Sequence, residues 1–92
     1  MSDPAIKKRV ARARRMALEN LSRAGYSVIE THGGPFALIG VRSAEARFVR
    51  VVIGETTAPD LSVCRKYPVP PSCTREIWAL EPRARTFSIT TL

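Results

Sequence analysis

The first 25 residues carry the clearest hydrophobic pattern in the chain. Small or aliphatic residues recur there every three or four positions, a spacing that places them on one side of an α-helix: Ile6, Val10, Ala13, Ala17, Leu21 and Ala24. Asp3 followed by Pro4 is typical of a helix start, and Gly25 can take the left-handed conformation that ends a helix. The pattern therefore predicts an amphipathic helix between Asp3 and Gly25.

The rest of the chain contains short alternating or apolar stretches that are typical of strands. They are residues 26–31, 36–42, 46–53, 76–81 and 86–91. Between the third and fourth stretches, the segment that starts Ala58-Pro59-Asp60 predicts a short helix ending near Lys66, and the prolines that follow exclude regular structure. We therefore expect an α/β fold in the order αβββ(α)ββ. It is a single mixed β-sheet with the N-terminal amphipathic helix packed on one face.

Length and composition are those of one domain. The 92 residues are 45% hydrophobic, so we expect a single folded domain over residues 1–92. A domain this small keeps much apolar surface near water, and a homodimer is one arrangement that would cover it. No apolar run approaches the ~20 residues that cross a bilayer, and the N-terminus lacks a secretory signal pattern. We expect a cytoplasmic protein without a membrane partner.

Positive charge is concentrated near the N-terminus. The formal net charge is +7, and the first 25 residues hold seven basic side chains against two acidic ones. Four of them fall opposite the apolar side of the helix: Lys8, Arg12, Arg15 and Arg23. A basic surface of this kind attracts polyanions, which favours nucleic acid, and DNA first, as the partner. The alternative is a solvated helix face that only keeps the protein in solution.

The residues that could bind a metal or act on a substrate are few. Cys64, Cys73 and His32 lack the paired close spacings of a zinc site, so we expect free thiols, no metal and no cofactor. His32, beside two glycines, is either a general base or phosphate contact, or an ordinary loop histidine. Trp78 is either a core residue or a surface on which a base stacks.

Several local strings resemble the PD-(D/E)XK nuclease superfamily, and in particular small domains similar to archaeal Holliday junction resolvases. They are LENLSRAGYSV (18–28), GGPFALIGV (33–41), RFVRVVIG (47–54) and, less specifically, REIWAL (75–80). The resemblance implies a restriction-endonuclease-like core. It also implies an aspartate at the start of the second strand, and an acid and a lysine two residues apart on the third.

The three positions that the resemblance matches to this site are Ala37, Arg50 and Val52. Cleavage of a phosphodiester by such a site needs carboxylates that hold Mg²⁺ and a lysine that stabilises developing charge. Ala37 offers no ligand, Arg50 would repel a divalent cation, and Val52 is uncharged. The resemblance thus implies a degenerate site with no catalytic residues and no metal. Acids elsewhere in the chain leave open an enzyme with relocated ligands: Glu19, Glu30, Glu45, Glu55 and Asp60.

The leading hypothesis is a catalytically inactive nuclease-like domain that binds nucleic acid non-specifically through the basic helix and arginines of the cleft. The residues expected to contact nucleic acid are Lys8, Arg12, Arg15, Arg23, Arg47 and Arg50. The alternative hypothesis is a dimeric protein-interaction or scaffolding domain that does not bind nucleic acid, in which Ala37 and Val52 fill the former cleft.

Overall fold

A computed structural model describes residues 4–92, which form helices and strands in the predicted order αβββαββ. The elements are α1 (Pro4–Arg23), β1 (Ser27–Glu30), β2 (Leu38–Arg42), β3 (Glu45–Ile53), α2 (Ala58–Lys66), β4 (Cys73–Leu80) and β5 (Ser88–Thr91). The strands form one sheet in the order β1-β2-β3-β4-β5. No helix within this part of the chain is long and apolar enough to cross a membrane.

The sheet is mixed, as predicted. β1, β2 and β3 pair in antiparallel fashion, β3 and β4 are parallel, and β5 returns antiparallel to β4. α2 makes the crossover between the two parallel strands. Because β3 and β4 run in the same direction and Ile53 pairs with Leu80, both strands end at the same edge of the sheet.

α1 packs on one face of the sheet through its residues 13–21. Ala13, Ala17 and Leu21 are fully buried there, and the last two cluster with Leu38 of β2, Val49 of β3 and Trp78 of β4. The helix ends as predicted at Gly25, whose φ is +92°, while Tyr26 donates its backbone N–H to the Leu21 carbonyl. This pattern of a left-handed glycine and a bond back across the last turn is the Schellman motif. Asp3, the predicted cap at the other end, lies outside the described residues.

The first half of α1 does not follow the prediction. Ile6 is 52% exposed and Val10 is 40% exposed, and Ala24 is exposed at the other end, so the apolar side of the helix is buried only in its middle. The reason is length, because a 20-residue helix is about 30 Å long and extends beyond the strands it crosses. The hydrophobic pattern indicates which side of a helix is apolar, but it does not show where the sheet ends.

α2 covers the opposite face of the sheet. Its buried Cys64 packs with Phe36 and Ile77, and burial raises the pKa of the Cys64 thiol. Thr57 and Asp60 form a capping box at the first turn, which explains why the predicted start at Ala58 is correct. Trp78 is 3% exposed in the α1-side cluster, which confirms it as a core residue.

The bounds of all five strands differ from the predicted ones, by one to three residues at one or both ends. β4 begins at Cys73, three residues before the predicted start, because its parallel ladder with β3 begins at the Ala46–Cys73 pair. β1, β2 and β5 are shorter than predicted, since pairing ends where the Gly33-Gly34-Pro35 loop and the turn after β4 leave the sheet.

Candidate nucleic-acid interface

The outward side of α1 carries four basic residues, here called the basic face of α1: Lys8, Arg12, Arg15 and Arg23. All four are exposed, and Arg23 lies 3.8 Å from the Glu19 carboxylate. Within residues 4–92, no hydrogen bond or ion pair engages the side chains of Lys8, Arg12 and Arg15. Lys8 and Arg15 are seven residues apart, or about 10 Å along the axis. α1 thus presents a short row of free cations to solvent between Lys8 and Arg15.

Arg47, expected in the same interface, is bound within the protein. Its Nε and Nη2 donate to the two oxygens of Glu76, at 2.8 and 2.6 Å. The Glu76 carboxylate is almost fully buried and also accepts from the Thr74 hydroxyl and from Trp78 Nε1. The guanidinium also lies 5.2 Å from the centre of the Tyr26 ring. It is therefore not a free cation, and we do not include Arg47 in the interface proposed below.

The electrostatics of this pair agree with its geometry. Burial acts to raise the pKa of Glu76, but the hydrogen bonds from Arg47, Thr74 and Trp78 outweigh it and hold that pKa below its ordinary value. The Glu76 carboxylate in turn raises the pKa of Arg47. Both groups are charged at neutral pH, and together they join the middle of β3 to β4 on the α1 side.

Arg50 lies on the other face of the sheet. Its Nε donates to Asp60 Oδ1 at 3.0 Å, and its Nη1 donates to the Pro35 carbonyl at 2.9 Å. Burial acts to raise the pKa of Asp60, but hydrogen bonds from Thr57 and from the Arg50 guanidinium hold it below its ordinary value. Arg50 therefore links β3 to the first turn of α2 and to the loop before β2. It shares no groove with the basic face of α1.

The other two positions that the resemblance singles out are apolar and packed. Ala37 is half-buried against the α1-side cluster, and its backbone N–H donates to the Val49 carbonyl. Val52 packs with Phe36 in the cluster beneath α2. The backbone bond from Ala37 to Val49 places the start of β2 beside the middle of β3, the two places where the resemblance puts the nuclease residues. Among the described side chains, Asp60 is the acid bonded to Arg50 there.

The acids considered as relocated ligands do not converge. Glu19 lies near Arg23, Glu30 lies 3.8 Å from Arg14, and Glu45 pairs with Arg42 at 2.7 Å. Glu55 and His32 are exposed. Across residues 4–92, no group of three or more histidine, cysteine, aspartate or glutamate side chains could hold a metal ion. Cys64 and Cys73 are both free thiols.

The acids that pair with Arg50 and Arg47, which are Asp60 and Glu76, were not predicted as their partners from the sequence. Asp60 had a local signal, because Thr57-x-x-Asp60 is a capping box that fixes the carboxylate at the first turn of α2. Glu76 had none. It meets Arg47 only through the parallel register that places Arg47 opposite Thr74, 27 positions later in the chain.

Comparison with solved structures identifies an archaeal nuclease of similar fold. No protein-family model matches the chain, and no curated protein matches its sequence. The solved structure of Hjc, a Holliday junction resolvase from the hyperthermophilic archaeon Archaeoglobus fulgidus, superposes with a TM-score of 0.66 at 16% identity. The superposition covers 91% of this chain and 71% of the resolvase chain. The predicted restriction-endonuclease-like α/β fold is therefore confirmed, and the chain has the fold of an archaeal Holliday junction resolvase.

Proposed function

We propose that this chain is a nuclease-like domain that binds nucleic acid, and DNA first, through the basic face of α1 without cleaving it. The observation that carries the proposal is the row of free cations formed by Lys8, Arg12 and Arg15 on the outward side of α1. Phosphate contacts from such residues position a protein on nucleic acid but do not read its sequence. Binding is therefore non-specific.

The surroundings of the helix strengthen this choice. The net charge of +7 attracts a polyanion over about a Debye length. A duplex presents one phosphate charge per about 1.7 Å of axis, so the ~10 Å between Lys8 and Arg15 faces several phosphates at once. The structural relative is by name a resolvase of Holliday junctions, which are DNA, and this makes DNA the first polymer to test.

The absence of cleavage is proposed from the chemistry of the matched positions. Arg50 is a cation held by Asp60 where the resemblance expects a metal-binding acid, and Val52 packs in an apolar cluster where it expects a lysine. A divalent cation would have to compete with the Arg50 guanidinium for the Asp60 carboxylate. Such a site lacks both the ligands and the lysine that metal-dependent cleavage uses.

The experiment is a binding titration followed by a cleavage assay. Fluorescence anisotropy with labelled duplex DNA, duplex RNA and a four-way DNA junction is measured from about 50 to about 400 mM salt. We expect binding that weakens steeply with salt, with little preference among DNA sequences. Incubation of the same DNA with Mg²⁺ or Mn²⁺ should leave it intact. Absence of binding at the lowest salt would refute the binding proposal, and metal-dependent products would refute the proposed inactivity.

A second candidate function rests on the exposed apolar residues of α1. Ile6 and Val10 continue the buried side of the helix but have no covering element among residues 4–92. A second copy of the chain would cover them, as a dimeric interaction domain requires. Light scattering after gel filtration distinguishes the two candidates. A dimer that becomes a monomer on Ile6→Ser/Val10→Ser and that binds no nucleic acid would favour the second.

A further inference from the structure

A cleft of about 420 Å³ lies where the first half of α1 passes the ends of β3 and β4. Its floor is apolar and consists of Ile53, Leu80, Pro82 and Ala84. The volume falls within the range of about 300–1,000 Å³ that is usual for ligand sites. The position also fits, because ligands of open α/β sheets bind outside the carboxyl ends of parallel strands.

Three arginines surround this floor. Arg9 and Arg12 reach it from α1, and Arg83 reaches it from the turn after β4. Within residues 4–92, none of the three guanidiniums makes an ion pair or a hydrogen bond, and Glu81 is the one carboxylate among the lining residues. Guanidinium groups bind phosphate through paired N–H donors. The cleft therefore combines an apolar surface with three guanidinium groups that have no anionic partner within residues 4–92.

Arg83 has a positive φ, a backbone conformation that glycine or asparagine adopts more readily than arginine. The Ala84 N–H donates to the Glu81 carbonyl at 3.0 Å, with Pro82 second and Arg83 third in the turn. The φ of Arg83 is +66°, so the turn is of type II, whose third position favours glycine or asparagine. An ordinary side chain in this region is disfavoured by about 1 kcal/mol. The turn carries an arginine despite this cost, and that arginine lines the cleft.

We propose that this cleft binds one unpaired nucleotide, with its base on the apolar floor and its phosphate on the guanidiniums of Arg9, Arg12 and Arg83. The proposal rests on the proposed function and specifies the form of nucleic acid that the domain prefers. Arg12 belongs both to the cleft and to the basic face of α1. A strand whose phosphates follow the basic face therefore reaches the cleft at Arg12, and a nucleotide at its unpaired end can enter.

The test compares a blunt DNA duplex with the same duplex extended by about five unpaired nucleotides, a length sufficient for a single-strand site. We expect the native chain to bind the extended duplex about tenfold tighter or more, the gain given by one charge-assisted contact to phosphate. Arg83→Gly should abolish the difference and leave the affinity for the blunt duplex unchanged within twofold. It should also keep or raise Tm, because glycine adopts the positive φ without strain.

Two further variants separate the cleft from general charge and folding effects. Ala84→Phe fills the floor without a change of charge and should abolish the preference for the extended duplex. Arg85→Gly removes one charge from the same loop outside the cleft lining, and it should retain the preference. Equal affinity of the native chain for blunt and extended duplexes, or a preference that survives both Arg83→Gly and Ala84→Phe, would overturn the proposal.

A third probe, a free nucleoside monophosphate, tests whether the ligand of the cleft is a nucleotide within a strand or a free nucleotide. If it competes for the cleft only at concentrations far above those of the extended duplex, the ligand is a nucleotide within a strand. Arg83-dependent binding of the free nucleotide by a chain that binds no duplex would support the cleft and refute the proposed function. Equal affinity of the native chain for blunt and extended duplexes, with duplex binding retained, would refute the cleft alone.

Discussion

Arg47→Ala distinguishes an arginine that stabilises the fold from one that contacts nucleic acid. In the native chain Glu76 accepts four hydrogen bonds, two of them from Arg47, and its side chain is only 4% exposed. Removing one partner of a buried ion pair costs about 3–5 kcal/mol. We expect about 3 kcal/mol here, because the Arg47 side chain is 23% exposed and water can replace part of the lost contact. For a domain of this size, that loss lowers Tm by about 12 to 24 °C.

The loss of stability in Arg47→Ala should depend on pH. The folded-state pKa of Glu76 is lowered, so the stability that this group contributes is present above its unfolded pKa of about 4.3 and is lost as pH falls through the folded value. Without Arg47, the Glu76 carboxylate loses the strongest of the interactions that lower its pKa, so we expect that pKa to rise. The difference in unfolding free energy between the native chain and Arg47→Ala should therefore be largest near neutral pH and should shrink as pH falls through and below that value.

The assay is urea unfolding followed by circular dichroism at neutral and acidic pH, beside duplex binding at low salt. Arg42→Ala is the matched control, because Arg42 also lies over the Tyr26 ring but pairs with the exposed Glu45, a contact that water and salt screen. The affinity of folded Arg47→Ala for duplex should match that of the native chain within threefold. A variant as stable as the native chain but much weaker in binding would show that this reasoning about Arg47 is wrong.

Two further predictions follow from the basic face and from α2. Arg12→Ala/Arg15→Ala should lower the slope of log affinity against log salt by about 1.8, or 0.9 per phosphate contact. Arg65→Ala/Lys66→Ala removes the same charge from α2 and should lower that slope by less than about 0.5. Equal slopes in the two variants would contradict a defined interface. Asp60→Asn should destabilise the fold by about 1–2 kcal/mol at neutral pH, since it weakens a capping box and an ion pair. Because the pKa of Asp60 is lowered, this difference should disappear as pH falls through its folded value, as measured by thermal unfolding.

Local signals predicted the elements well because the responsible contacts are local. The bounds of α2 were correct since Thr57, Pro59 and Asp60 all act within its first turn. Gly25 ended α1 for a similar reason, through a bond between residues five apart. Where the bounds or the burial of an element depend on contacts with a distant part of the chain, the prediction was less accurate. The start of β4 depends on its ladder with β3, and the exposure of Ile6 depends on where the sheet ends.

The candidate site was less predictable because its residues acquire their state from partners far along the chain. Arg47 and Arg50 are alike in the sequence, as charged interruptions of one strand. Their side chains nevertheless point to opposite faces, where Arg47 meets Glu76 and Arg50 meets Asp60. Arg83 had no sequence signal at all, since only the turn after β4 brings it beside Arg9 and Arg12. Charge can be counted from a sequence, but whether a charge is free depends on the fold.

The proposed binding of nucleic acid does not require a divalent cation, because Arg50 supplies a positive charge beside Asp60. In a metal-dependent site the clustered carboxylates repel phosphate until the cation neutralises them. Here the guanidinium of Arg50 is already in place against Asp60 and the Pro35 carbonyl, so the acid beside it is neutralised by the protein itself. Arg50→Glu would set two carboxylates against each other, leave the Pro35 carbonyl without its donor and still lack a lysine at Val52. We therefore expect this substitution to destabilise the loop before β2 rather than to create a metal site, and we expect duplex binding by the native chain to be unchanged by chelators.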